Sequence, residues 1–202
     1  MRTAILLLLL TGAAAAEPLL IFTKEFKGSN PPYFEVHVTK DGKCVYKEAS
    51  DDEQPLDLQL SAGETEVLFK LTEKLDRFQR PLESKVKVAQ MGQKTFRYEN
   101  GEAKHSVTFN FTEDADARLL ADWFEKVGST ANIYVVLERA VKFDKLGVNQ
   151  ALLQFEALKD KGRLVSLATF LPLLDRVAKN DSFLNMARSR AMQLAEAIRT
   201  TP

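Results

Sequence analysis

Apolar and polar residues alternate singly along the first half of this chain and recur at helical spacing along the second. Leu19 to Phe26 reads as a first strand, closed by Gly28-Ser29-Asn30-Pro31-Pro32. Phe34, Val36 and Val38 then alternate with Glu35 and His37, and Asp41-Gly42 turns the chain. A two-residue turn there would pair Val36 with Lys47. A three-residue turn, Lys40-Asp41-Gly42 with Gly42 left-handed, pairs Val38 with Cys44 and Val36 with Tyr46. The second register keeps the apolar residues on one face and is the expected one. It makes Cys44 a buried, inert thiol.

An acidic loop, Ser50 to Pro55, precedes a short strand in which Leu56, Leu58 and Leu60 alternate. Ser61 and Glu64 form a capping box, opening a helix with the stripe Val67, Leu68, Leu71, Leu75 and Phe78, stopped by Pro81. Val86 and Val88 predict a further strand, turning at Met91-Gly92. Asn100-Gly101 fits a two-residue turn that sets Tyr98 opposite Ala103 and Phe96 opposite His105. Phe96, Tyr98, Ala103, His105, Val107, Phe109 and Phe111 then share the buried face of a half-buried antiparallel sheet.

From Thr112 the pattern is helical only. Thr112 is the expected cap of a helix with Glu113, Asp114 and Asp116 in its first turn and Leu119, Leu120, Trp123, Phe124 and Val127 in its stripe. Gly128 is the expected stop, with a second helix from near Thr130 through Phe143. A third holds Leu152, Phe155 and Leu158 and ends at Gly162. Leu167 to Ala178 predicts a short turn and a fresh helix from Pro172. The last begins after Asp181 or Ser182 and buries Phe183, Ala187, Leu194 and Ile198. The fold class is therefore α+β: a small antiparallel sheet with one packed helix over residues 17–111, followed by an all-helical segment of four to five helices over 112–202.

Met1 to Ala16 reads as a signal peptide: Arg2, an apolar run from Ala4 to Leu10, and the small residues Ala14-Ala15-Ala16 before Glu17. Glu17-Pro18 cuts the run short of the roughly 18 residues a membrane anchor needs. The expected location is thus outside the inner membrane, periplasmic or secreted, with no transmembrane segment after cleavage. The apolar and charged fractions, 45% and 28%, are those of an ordinary folded domain. Acidic and basic residues nearly balance, which argues against nucleic acid as a partner. The charge is uneven, however. Residues 17–130 hold 16 Lys/Arg against 21 Asp/Glu, whereas residues 131–202 hold 11 against 7. The expectation is that the two halves attract each other; the alternative is a basic helical surface drawn to anionic lipid or cell-wall polymer.

Candidate chemistry is sparse. The single cysteine, Cys44, allows no internal disulfide. The two histidines lack metal-ligand spacing: His37 should be exposed on the outer face, and His105 a core or rim residue with one hydrogen bond. No Gly-x-Ser-x-Gly elbow occurs. Asp51-Asp52-Glu53 and Asp114-Ala115-Asp116 lack the ligands and glycine of a calcium loop. No catalytic, cofactor-binding or metal residue is therefore assigned, and no cofactor is expected.

The order strand, Asp41-Gly42 hairpin with Val45-Tyr46, strand, Ser61 helix and Asn100-Gly101 hairpin resembles a group of uncharacterised exported bacterial domains, from about Pro32 to Val127. Phe143 to Val148 and Phe170-Leu171-Pro172 are similar to segments of hypothetical proteins of soil bacteria. The resemblance implies no activity and transfers no functional residue. The expected function is a non-enzymatic exported protein that binds another macromolecule, an envelope or extracellular protein. Two alternatives stand beside it. One is an exported hydrolase using a carboxylate pair. The other is an inhibitor of a secreted protease acting through the loop Gly28 to Pro32 or Ala49 to Pro55.

Overall fold

The computed structural model describes residues 17–200. The export segment expected over residues 1–16 lies outside the described residues. The strands are β1 (Leu19–Glu25), β2 (Tyr33–Thr39), β3 (Lys43–Lys47), β4 (Leu56–Gln59), β5 (Gln93–Asn100) and β6 (Ala103–Phe109). They form one antiparallel sheet in the order β4-β3-β2-β1-β5-β6. Helix α1 (Ala62–Lys74) interrupts the strands, and α2 (Ala115–Phe143), α3 (Val148–Asp160), α4 (Leu171–Lys179) and α5 (Asn185–Thr200) follow them. The fold is α+β, as the patterning requires.

Register follows turn chemistry. Val38 pairs with Cys44 and Val36 with Tyr46, so the three-residue turn forms. Gly42 sits at φ +86°, and a Cβ there would meet Gln59 Nε2 and Leu60 O at 2.8 Å. The second hairpin departs from expectation by two residues: Tyr98 pairs with His105 and Phe96 with Val107. Asn100 closes the ladder opposite Ala103, and Gly101-Glu102 makes the turn, with Gly101 at φ +60°. Glycine at the first loop position is what a type II′ turn selects. A slip of two preserves the faces, so Phe96, Tyr98 and Phe109 remain buried.

The inner sheet face is aromatic. Phe22 stacks on Phe124 of α2 at 4.8 Å, and Phe96 lies 5.5 Å from Phe22 and 5.1 Å from Phe78. The capping box at Ser61 forms: Glu64 N–H donates to Ser61 Oγ, and Ser61 N–H to Glu64 Oε2 at 2.8 Å. Helix α1 stops sooner than its stripe suggested. Asp76, Arg77 and Phe78 take left-handed φ of 53°, 49° and 66°, which swings Phe78 onto Phe96. Non-glycine residues in that region cost about 1 kcal/mol or more each. Burying the Phe78 side chain returns about 1.5–3 kcal/mol. Val67, on the expected stripe, is exposed instead.

The strand expected at Val86 and Val88 is absent. That stretch is an irregular connection, with Val86 and Val88 exposed. Its hydrogen bonds go to the end of β6: Ser84 N–H to Phe111 O, and Met91 N–H to the Asn110 side chain, which donates to Ala89 O. Apolar alternation without a partner strand does not make a ladder.

The largest departure is α2. Gly128 does not end it; the helix runs unbroken for 29 residues, about 43 Å. It starts one turn-residue pair later than expected, with Asp114 as N-cap accepting from Ala117 N–H, while Thr112 Oγ1 accepts from Asp114 N–H. Gly128 keeps negative φ, and the Phe34 and Tyr46 rings lie 3.6–3.8 Å from where its Cβ would be. Ala117, Leu120, Ala121, Phe124, Val127 and Ala131 enter the sheet's core. Ile133, Leu137, Ala140 and Val141 enter a second core with α3, α4 and α5. The turn before Pro172 is a short 3-10 segment, Leu167–Phe170, as expected, and α5 starts at Asn185.

Two buried hydroxyls join the cores. Thr130 Oγ1 accepts from Val165 N–H at 3.0 Å and donates to Lys126 O at 2.9 Å. Ser166 Oγ donates to Gln59 O at 2.6 Å, and Ser166 N–H donates to Glu64 Oε1 at 2.8 Å. Arg163–Asp122 is the one ion pair crossing residue 130 among the described residues. Attraction between oppositely charged halves is thus a minor part of the join.

Two substitutions test this account. Gly128→Ala should raise unfolding stability by about 0.8 kcal/mol in urea titration, because a helix-interior methyl finds ordinary contacts there. Thr130→Val should lower it by about 1–3 kcal/mol, since Val165 N–H is left buried without an acceptor.

Candidate functional site

One face of α2 stays open where the two cores meet. Glu125, Gly128, Ser129 and Asn132 follow at helical spacing, with Val135 and Val136 one turn on. They form the floor of two adjoining clefts, about 490 and 420 Å³, that share Asn30, Pro31, Tyr46 and Asn132. The combined groove runs about 16 Å along the helix from residue 125 to 136.

Two loops wall it, and each is fastened by its own chemistry. In the first, Ser29 Oγ donates to Phe26 O at 2.8 Å or to Pro31 O at 2.7 Å, and Phe26 N–H donates to Pro32 O at 2.8 Å. The Asn30–Pro31 peptide is cis. In the second, Asp52 accepts from Glu48 N–H at 3.1 Å and from Gln54 N–H at 2.9 Å. Those backbone donors hold its carboxyl below the usual range. These are the loops that the sequence offered as separate inhibitor candidates; the fold sets them on one groove.

The charges are graded along it. Lys24 pairs with Glu125 at 3.0 Å, and Arg163 pairs with Asp122 at 2.6 Å just beside them. Glu48 and Asp52 line the other end. Tyr46 lies between, its hydroxyl donating to Glu48 Oε1 at 3.2 Å. Burial, then the Glu48 charge, pushes its pKa far up, so it stays a neutral donor. Burial raises the Asp122 carboxyl, but the hydrogen bonds of Arg163 and Lys126 outweigh it and leave the pKa lowered.

Elsewhere the candidate chemistry is quiet. Cys44 is fully buried, and burial pushes its thiol to about 12, helped by Glu64 and Asp57. His37 is half-buried rather than exposed, its Nε2 2.5 Å from Glu35 Oε1 on the outer sheet face. Tyr33 donates to the same carboxylate at 3.1 Å. Burial opposes ionisation of Glu35, yet the His37 and Tyr33 contacts bring its pKa below normal. His105 Nδ1 is buried with no hydrogen-bond partner. Among the described residues no three or more His, Cys, Asp or Glu side chains gather as a metal site, and no helix is long and apolar enough to cross a membrane.

Every carboxylate whose titration is displaced is displaced downward: Glu35, Asp41, Asp52, Glu66, Asp114, Asp122 and Asp175. A general acid for sugar hydrolysis needs the opposite direction. The groove presents fixed charges, amide and hydroxyl groups, and the apolar Pro31, Leu56, Val135, Val136 and Leu158. Sequence reasoning missed it because its lining comes from segments a hundred residues apart. Neither a known protein family nor a curated protein matches this chain.

The lowered carboxylates fix the pH dependence. Their stabilisation is complete above the unfolded carboxylate pKa of about 4 and is lost as pH falls through the lower folded values. Urea midpoints should therefore drop steeply only below about pH 4. Asp122→Asn should flatten part of that acid limb while costing under about 1 kcal/mol at neutral pH, as the pair is half exposed.

Proposed function

We propose that the protein is an exported, non-enzymatic binding protein whose α2 groove takes an extended segment of another envelope or extracellular protein. The groove itself carries this reading. At about 3.3 Å per residue, an extended chain of roughly five residues spans it. Asn132, Ser129 and Tyr46 offer hydrogen bonds along the way, and Glu48 and Asp52 favour a basic residue at one end. Both walls are held by internal hydrogen bonds, which keeps the ordering cost of binding low. The carboxylate-pair hydrolase has less support, because the displaced carboxyl groups favour the anion.

A photocrosslinking residue replacing Ser129 should trap one partner in an envelope extract of the native host. Asn132→Trp in the same chain, placed on an exposed floor position, should cut trapping on the order of tenfold. Trapping that survives the tryptophan, or no adduct at all, sinks the reading. A trapped partner that is an extracellular protease, with its activity lowered on binding, selects the inhibitor version.

A further inference from the structure

A second surface lies at the far end of α2, about 10 Å beyond the groove along the helix axis. Residues 142–146 are exposed in succession. Among them Phe143 and Leu146 are 82% and 76% exposed, the two highest values of any large apolar residue described. This is no loose loop. Asp144 Oδ1 accepts from Gly147 N–H at 3.0 Å, and the Asp144 carbonyl accepts from the same residue at 3.1 Å, so the turn between α2 and α3 is pinned. Val141 and Val148 on either side are buried. The tip therefore presents its two apolar side chains outward by construction.

Its surroundings carry three basic groups against two acidic ones, Glu138 and the exposed Asp144 in the turn itself. Lys142 and Lys145 flank Phe143 and Leu146, and Arg139 lies one turn back. Lys142 pairs with Glu138, but Arg139 and Lys145 have no ion pair among the described residues. A cleft of about 390 Å³ opens beside the ring, lined by Arg139, Phe143 and Gln150. The excess of basic residues in 131–202 is not consumed at the join between the cores, where Arg163–Asp122 alone crosses.

We propose that the α2–α3 tip docks the protein on an anionic phospholipid surface, with Phe143 and Leu146 entering the interface and Arg139, Lys142 and Lys145 meeting headgroup phosphates. Large apolar residues largely exposed beside long cationic side chains match the depth and charge of a lipid interface. Two side chains offer much less area than the roughly 800 Å² per partner that a stable protein interface buries. Docking through the tip leaves the groove free, so this inference goes beyond the binding function and does not rest on it.

The test is co-sedimentation with vesicles of phosphatidylcholine alone or mixed with phosphatidylglycerol. Wild type and variants are compared in the same processed form, so any lipid affinity of residues 1–16 cancels. Wild type should bind the mixed vesicles, bind the neutral ones weakly, and release in about 0.5 M salt, where screening is short-ranged. Phe143→Ser with Leu146→Ser should lower the partition coefficient on the order of tenfold or more. Arg139→Glu with Lys145→Glu should lower it several-fold on mixed vesicles only. All four positions are exposed, and unchanged thermal midpoints confirm that the variants fold. No wild-type binding to mixed vesicles, or binding that the serine pair leaves intact, overturns the proposal. So does a wild-type dimer that the serine pair disperses without any vesicle binding, which would make the tip an interface between copies.

Discussion

The continuity of α2 through Gly128 is the constraint on which the rest of the structure depends. Its first half closes the aromatic face of the sheet, with Phe124 against Phe22, and its second half carries Leu137 and Val141 into the helical core. A break at Gly128 would uncouple the two cores and dissolve the groove that lies across them. Glycine is tolerated mid-helix because its neighbours compensate. The Phe34 and Tyr46 rings pack against the glycine, 3.6–3.8 Å from where a Cβ would stand, and Ser129 and Thr130 return their hydroxyls to the carbonyls of Glu125 and Lys126. Helices of this length draw most of their stability from such tertiary packing, and local propensity is secondary.

A few polar groups hold the cores in fixed relation, and each does more than one job. Glu64 caps α1 with one oxygen and receives Ser166 N–H with the other. Ser166 sits at φ +51°, a conformation that aims both its N–H and its hydroxyl back at the sheet layer. Thr130 holds Val165 in the same region. The Thr130–Val165 bond is buried and those of Ser166 are part-buried, where an unmade partner is costly, so they fix orientation more firmly than the one ion pair that crosses residue 130 among the described residues.

Charge in this molecule acts mainly as fastening. The carboxylates with displaced titration are held as anions by backbone N–H groups, guanidinium groups and ammonium groups, and none is drawn toward the protonated form. One rod-like helix separates two surfaces, a polar groove at its middle and an apolar tip at its end.

Local chemistry was legible in the residues themselves. Gly42 forced the first hairpin's register, Ser61 and Glu64 announced α1, and Pro172 marked a fresh helix after a short turn, because each signal acts within four or five residues. Where a position had two locally acceptable states, sequence misled. Asn100-Gly101 allows either of two turns, and Gly128 is as good a helix stop as a packing gap. Val86 and Val88 alternate like a strand that has no partner. Only tertiary structure decided these, since the winning state was stabilised by residues remote in the chain: Phe34 and Tyr46 for Gly128, Asn110 for the connection through Val86 and Val88. The groove belongs wholly to that second category, because Asn30, Asp52, Asn132 and Arg163 share nothing until the fold brings them together.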